Sequence, residues 1–257
     1  MTTKAAGALR LGANDFRALF DQLGPSLGFW RAAEIAALRT QTYKRPVLDL
    51  GCGDGLVMSY VLPRVDIGVD PSADAIARAS PRALYGRLEA KPIEALTLAP
   101  GSVGTIVSNS VLEHVANLQA VLTACARLLR PGGSLIFTTP TDAFSRWLAV
   151  PWQGYRDWRN GHYDHRNLWP LERWHAELDR AGFTFASVRP YLRREFVLAW
   201  DALELAQRVW IGRRRLFSLG WRRLPPAWLD RLAQRAACID LAAPAPGGGQ
   251  LIVARRR

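Results

Sequence analysis

The feature that most constrains the fold is a recurring unit: a short apolar run, a turn, then a stretch with helical spacing. VLDL (residues 47–50) ends in the glycine turn GCGDG, and DIGV (66–69) ends at Asp70 before a Pro-Ser pair. A weaker run, LYG (84–86), follows, and then GTIVSNS (104–110) and SLIFTTP (134–140). The segment 117–129 is amphipathic with helical period and is stopped by Pro131-Gly132-Gly133. Runs that are apolar on both faces and alternate with helices predict a parallel sheet covered by helices.

Two helical stretches, DFRALFDQLG and SLGFWRAAEIAALR, precede the first strand and are separated by Gly24-Pro25. Beyond Pro140 the composition shifts, with nine of the ten tryptophans in that half. WPLERWHAELDRAGF has Pro170 near its first turn and Gly182 just past its end, which predicts a helix leading into a sixth strand, TFASVRPY. Residues 195 to about 238 are expected to be helical, with a break at Leu224-Pro225-Pro226, before a last short strand, QLIVARRR.

Composition narrows the class. Hydrophobic residues make up 49% of 257, a globular balance, and no run of apolar residues is long enough to span a bilayer. The N-terminus lacks an apolar signal core, so a cytoplasmic protein is expected. Cys52, Cys125 and Cys238 are few and far apart, which gives neither a disulfide framework nor a zinc site and fits a reducing compartment. The formal charge of +12 favours anionic partners, although the bias is almost entirely arginine, with lysine only at 4, 44 and 91.

The glycine turn carries the chemistry. Glycines at 51, 53 and 55 let a ligand approach the backbone at the carboxyl end of a strand, and Asp70 at the end of the second strand can accept bonds from ribose hydroxyls. The spacing is GxGxG, not the dinucleotide GxGxxG, and Asp49 would oppose a pyrophosphate but suit a cation. Both features speak against an NAD-dependent oxidoreductase. Taken with IGVDPS, TIVSNSVLEHV and ARLLRPGGSLIFTTP, in that order, VLDLGCGDG resembles the class I S-adenosylmethionine-dependent methyltransferases over roughly residues 43–141.

That resemblance implies an α/β fold, Rossmann-like and doubly wound. Its seven-stranded sheet is mostly parallel with the last strand antiparallel, and here a helical cap is inserted before that strand. Residues 1–42 would form helices closing over the cofactor, 43–192 with 248–257 the core, and 193–247 the cap, facing an acceptor or a membrane. The cofactor implied is S-adenosyl-L-methionine, leaving S-adenosyl-L-homocysteine. Gly51, Cys52 and Gly53 would cradle its methionine part, with Asp49 near the amino group and Cys52 serving as a small residue in the turn. Asp70, followed by Pro71, would hold the ribose. Asn109 and Ser110 would lie beneath the methionine moiety or the sulfonium. The family often has an acidic then a small residue after the third strand; here Arg87 and Leu88 stand there, so Leu88 and Glu89 are assigned to the adenine. Trp30 sits beside Arg31 on the helix entering the sheet, and Arg31 could pair with the methionine carboxylate or simply lie on the surface.

For a hydroxyl acceptor a general base is needed, and the candidates are His114, in LEHV, and His162 and His165 of the HYDH cluster. Two histidines three apart are a poor zinc pattern, so no metal is expected. The cap interleaves basic and aromatic residues at Arg213–Arg215, Leu216, Phe217, Trp221, Arg222 and Arg223, which suits an anionic membrane surface or an ordinary helical cap; nucleic acid is disfavoured because no RNA-binding motif is present. The expected activity is methyl transfer to a small-molecule or lipid-linked acceptor, at oxygen, in the cytoplasm or at the inner face of the membrane. The alternatives are an RNA or protein methyltransferase and a non-catalytic cofactor-binding subunit.

Overall fold

The computed structural model describes residues 7–206 and 224–257, together with the backbone of residues 210–211 and 214–215. Helices α1 (Ala13–Leu23) and α2 (Pro25–Leu38) come first and meet at Gly24, where Pro25 opens the second helix. The core then alternates: β1 (Val47–Leu50), α3 (Leu56–Val61), β2 (Val65–Val69), α4 (Ala73–Ala79), β3 (Tyr85–Glu89), β4 (Val103–Asn109), α5 (Leu118–Leu128) and β5 (Leu129–Pro140). Three helices follow before the next strand: α6 (Asp142–Arg146), α7 (Gln153–His162) and α8 (Leu171–Arg180). The chain ends through β6 (Phe183–Tyr191), α9 (Arg194–Ala206), β7 (Trp210–Ile211), β8 (Arg214–Arg215), α10 (Pro226–Ala237) and β9 (Gly249–Arg256).

Seven strands form one sheet in the order β3-β2-β1-β4-β5-β9-β6. Pairings from β3 across to β5 are parallel, and β9 runs antiparallel between β5 and β6, as the resemblance implied. Alternation along each strand divides the core. Val47, Val107 and Ile136 face α1, α2 and α9, while Leu48, Ile106 and Phe137 face α5 and α8. Asp49, two residues beyond Val47, therefore points to the side that α2 covers. Side-chain caps start three of the helices: Ser72 accepts from Ala75 N–H, Asn117 from Ala120 N–H and Thr141 from Ala143 N–H.

The structure departs from the sequence expectations in three places. The third strand is Tyr85–Glu89 and not 84–86; it is a sheet edge with partly exposed faces, so it lacks the apolar run that marks its neighbours. The fifth strand begins at Leu129 and carries the Pro-Gly-Gly stretch, accommodated by a register shift opposite Val103 and Thr105. The stretch expected to be one broken helix over 195–238 is instead α9, a two-stranded β7–β8 pair and α10. The arginine and aromatic side chains singled out at 213–223 lie outside the described residues. Among the described residues no helix is long and apolar enough to cross a membrane.

One buried ion pair ties α7 to α9. Arg159 and Asp201 are both fully buried and bonded to each other, and Asp201 also accepts from the Tyr155 hydroxyl at 2.8 Å and from Ala149 N–H at 2.8 Å. The Arg159 guanidinium lies against the rings of Tyr155, Trp158, Tyr163 and Trp200, at 5.3–6.0 Å from their centroids. Replacing Asp201 by Ala would leave a buried cation with no carboxylate, a change that costs about 3–5 kcal/mol. Urea unfolding of D201A should show a loss of that size.

Candidate active site

The carboxyl ends of β1, β2 and β4 meet along one edge of the sheet, where open α/β sheets bind ligands. The turn after β1 holds Gly51 and Gly53 in the left-handed region, at φ 70° and 55°. Gly51 and Cys52 N–H groups donate to the Val69 carbonyl at 2.7 and 3.0 Å, which fixes the turn to β2. A Cβ at Gly51 would strike Val111, whereas that of Gly53 would enter open space. Asp70 stands beside the turn: its Oδ2 accepts from Gly53 N–H at 3.0 Å and its Oδ1 from Ser72 N–H at 2.9 Å. Pro71 is exposed, and burial pushes the Cys52 thiol up, so Cys52 is no thiolate nucleophile.

Asp49 is buried beneath the turn, and its Oδ2 accepts from the Tyr85 hydroxyl at 2.6 Å. Burial raises its carboxyl to about 7, with the Tyr85 bond pulling the other way and Asp70 adding to the rise. Leu88 pairs in register with Gly68, and Glu89 with Val69, so both reach the same edge. Glu89 is held by Arg87 at 2.6 Å and Lys91 at 3.4 Å.

At the end of β4 a second cluster forms around a residue that the motifs did not indicate. Glu34, on α2, has 0% exposure and accepts four hydrogen bonds. Trp30 Nε1 and Ser110 Oγ reach its Oε1 at 2.9 and 2.6 Å; Arg31 and Asn109 Nδ2 reach its Oε2 at 2.6 and 2.9 Å. Trp30, Arg31, Asn109 and Ser110, all assigned to the donor by resemblance, thus converge on one carboxylate. The helical spacing of Trp30 and Arg31 from Glu34, four and three residues, puts all of them on one face of α2.

Next to this cluster is a cleft of about 440 Å³, open to solvent, whose walls include Trp30, Ser110, Phe144, Tyr163 and Trp200. Trp30, Phe144 and Trp200 touch one another with ring centroids 5.3–5.4 Å apart. Its polar wall is Arg31, Glu113, His114 and His165. The loop after α7 is stitched to the turn after β4. Arg166 and Asn167 N–H groups donate to the Glu113 carbonyl, and Asn167 Nδ2 donates to the Leu112 and Val115 carbonyls, both at 2.8 Å. This brings two distant candidate bases together: the His114 and His165 rings stack at 5.3 Å. Burial, and then the neighbouring His114, lowers His165 to about 4. His114 Nδ1 lies 3.2 Å from the Asp164 carbonyl and its Nε2 lies 3.8 Å from Glu113 Oε1. His162 is exposed at the end of α7, stacked on Trp158, and does not line the cleft.

Glu113 lies one residue from a candidate base yet carried no signal of its own. It is 1% exposed, its Oε2 has no hydrogen-bond partner among the described residues, and burial pushes its carboxyl up to about 8. Among the described residues, no group of three or more His, Cys, Asp or Glu side chains is placed to hold a metal ion.

Comparison with known proteins places this architecture. A family model described as a methyltransferase domain matches residues 28–188. The chain therefore belongs to the methyltransferase-domain family, in the class I S-adenosylmethionine-dependent group. Among curated proteins, the ubiquinone biosynthesis O-methyltransferase of Agrobacterium fabrum is 37% identical over 99 residues, 36% of this chain and 40% of that protein. The protein of the same name from Idiomarina loihiensis is 33% identical over 113 residues, 41% of this chain and 46% of that one. The chain thus spans less than half the length of these relatives. In fold it is similar to an S-adenosylmethionine-dependent methyltransferase from Thermotoga maritima, with TM-score 0.59, 14% identity, and coverage of 94% of this chain and 100% of that one. Geranyl diphosphate C-methyltransferase from Streptomyces coelicolor also gives TM-score 0.59, at 16% identity over 91% of this chain and 86% of its own.

The two raised carboxyls make stability depend on pH in a defined direction. Folded Glu113 keeps its proton to about pH 8 and folded Asp49 to about pH 7, whereas both lose it near pH 4 when unfolded. The folded state thus binds more protons, and stability falls as pH rises until each folded pKa is passed. His165 acts in the opposite sense, but only below its ordinary value of 6.5. Between about pH 6.5 and 8 the unfolding free energy should therefore drop, by up to about 1.4 kcal/mol per pH unit for each retained proton. Urea titrations across that window should show a flatter profile for Glu113→Gln than for the parent.

Proposed function

We propose that the protein transfers the methyl group of S-adenosyl-L-methionine to a hydroxyl oxygen of a small or lipid-linked acceptor bound in the aromatic cleft. The observation that carries this is the adjacency of two differently built half-sites. An acidic turn after β1 meets an aromatic, imidazole-bearing cleft at the end of β4: Ser110 lines the cleft, and the next residue, Val111, packs against Gly51 of the turn. The sequence relatives named as O-methyltransferases support oxygen as the accepting atom.

The residues present fit such a donor. The open space at Gly53 leaves room against the backbone, and a buried carboxyl poised near pH 7 at Asp49 gains most from a cationic neighbour. Asp70, fixed at the end of β2, has oxygens suited to vicinal hydroxyls, and Leu88 offers an apolar surface at the end of β3. S-adenosyl-L-methionine supplies a methyl group already made electrophilic by the sulfonium. The protein's own work is alignment and proton removal. Trp30, Phe144, Tyr163 and Trp200 hold the acceptor body and exclude water from it. When His114 Nδ1–H donates to the Asp164 carbonyl, Nε2 carries the lone pair and takes the hydroxyl proton. His165 stays neutral and stacks against the His114 ring.

Transfer of labelled methyl from S-adenosyl-L-methionine to phenols of graded alkyl chain length tests this directly. His114→Ala should lower kcat by about 10²–10⁴-fold at saturating donor, the span of a general base. His162→Ala should leave kcat unchanged. Affinity that rises with chain length assigns a lipid-linked acceptor, and methylation of none of the phenols, or a wild-type rate in His114→Ala, would overturn the assignment.

A further inference from the structure

Tyr85 has no counterpart among the residues that the motifs or the comparisons single out. It opens β3, two strands away from β1, yet its side chain crosses beneath β2 to reach the donor turn. Its hydroxyl donates to Asp49 Oδ2 at 2.6 Å, the one hydrogen bond of that carboxylate among the described residues. The ring passes so close to the backbone that two glycines are needed to admit it. A Cβ at Gly68, in the middle of β2, would lie 2.7 Å from Tyr85 Cδ1, and one at Gly55, the last glycine of the turn, 2.9 Å from Tyr85 Cε2. Real Cβ atoms do not sit at such distances, so ring and glycines are matched.

We propose that Tyr85 is a positioning residue of the donor site: its hydroxyl fixes one oxygen of Asp49 and leaves the other for the donor's ammonium group, while its ring seats the glycine turn. This rests on the assignment of the turn to S-adenosyl-L-methionine made above. The geometry gives the tyrosine two jobs that phenylalanine would split. The ring alone keeps Gly55 and Gly68 in place, and the hydroxyl alone sets the carboxylate. A carboxylate buried with no donor at all stays protonated over a wider range, and a neutral acid attracts an ammonium poorly. The groups facing Asp49 are the Tyr85 hydroxyl from β3, Tyr43 from the segment before β1, Cys52 from the turn and Asp70 from the end of β2. Burial raises Tyr43, Cys52 and Tyr85 alike, so none becomes an anion near neutrality, and among the described residues Asp70 opposes ionisation by charge.

The test is calorimetric binding of S-adenosyl-L-homocysteine, which keeps the ammonium group, between pH 6 and 9. In Tyr85→Phe the affinity at pH 7 should fall about tenfold, the loss of one hydrogen bond to a charged group. The pH at which binding reaches half its maximum should move upward, and affinity should recover at the alkaline end. Tyr85→Phe placed on Asp49→Asn should add no further loss, whereas a general weakening of the fold would add its effect in both backgrounds. Equal affinity and an unmoved pH midpoint in Tyr85→Phe, or full additivity with Asp49→Asn, overturns the proposal. A parent protein that fails to bind S-adenosyl-L-homocysteine overturns the donor assignment itself, and the role of Tyr85 with it.

Discussion

The site depends on burying one carboxylate. Glu34 leaves water completely, which is unfavourable for an ion unless hydrogen bonds replace its hydration. Four donors do so, and they come from two elements: Trp30 and Arg31 from α2 itself, Asn109 and Ser110 from the end of β4. The bonds therefore fix an N-terminal helix against the edge where the strands present their ligand groups. They also fix side-chain directions. The Trp30 ring is turned into the aromatic wall by its own Nε1 bond, and Asn109 is held from the other side by Thr138 Oγ1 at 2.8 Å. Ser110 adopts a left-handed backbone, φ 51°, that a serine reaches only when its surroundings impose it. With Thr138 holding its N–H and Glu34 its hydroxyl, Ser110 is determined from both ends.

Charge is distributed against the overall sign of the molecule. The chain carries +12, yet at the glycine turn Asp54 is paired with Arg82 and Glu89 with Arg87 and Lys91, while Asp49 and Asp70 form no salt bridge among the described residues. Net charge describes the surface at a distance; a ligand within a few ångströms meets the local groups. An acidic turn in a basic protein is the electrostatic environment for a cation, which agrees with a sulfonium that also bears an ammonium. The acceptor side is close to neutral by comparison. Arg31 is matched by Glu34, and His165 and Glu113 are both held in their uncharged forms by burial at neutral pH.

What the sequence made legible was what local chemistry specifies. Val47–Leu50 and Gly51–Gly55 declare a strand and its turn because buried strands need apolar residues and the turn needs positive φ. Asp49 and Asp70 follow from their places relative to that turn. β3 reaches beyond the expected 84–86 because an edge strand does not need two apolar faces, and Gly86-Arg87 interrupt the apolar run that would mark it. Glu34 is not legible locally for another reason. Its partners are 75 and 76 residues away, and an acidic residue in an amphipathic helix looks like a solvated face until β4 is seen opposite it. Tyr85 and Glu113 share that character, since each owes its setting to long-range packing. His114 and His165 were visible as titratable groups, but nothing in the spacing of 114 and 165 said that their rings would meet.

In the proposed reading, acceptor recognition is not confined to the segment before the last strand. Trp30 comes from α2, Phe144 from α6, Tyr163 and His165 from the loop after α7, and Trp200 from α9. Four separate stretches build one aromatic surface, and the Arg159–Asp201 pair, packed behind Tyr163 and Trp200, joins two of them. The family match ends at residue 188, so Trp200 and Asp201 lie beyond it while His114 and His165 lie within it. Of the aromatic wall, Trp30, Phe144 and Tyr163 also lie within the match, so the cleft is built across its boundary. A change at Asp201 would be felt at Trp200 and Tyr163 through Arg159, reshaping the pocket while leaving the donor turn, 150 residues earlier in the chain, untouched.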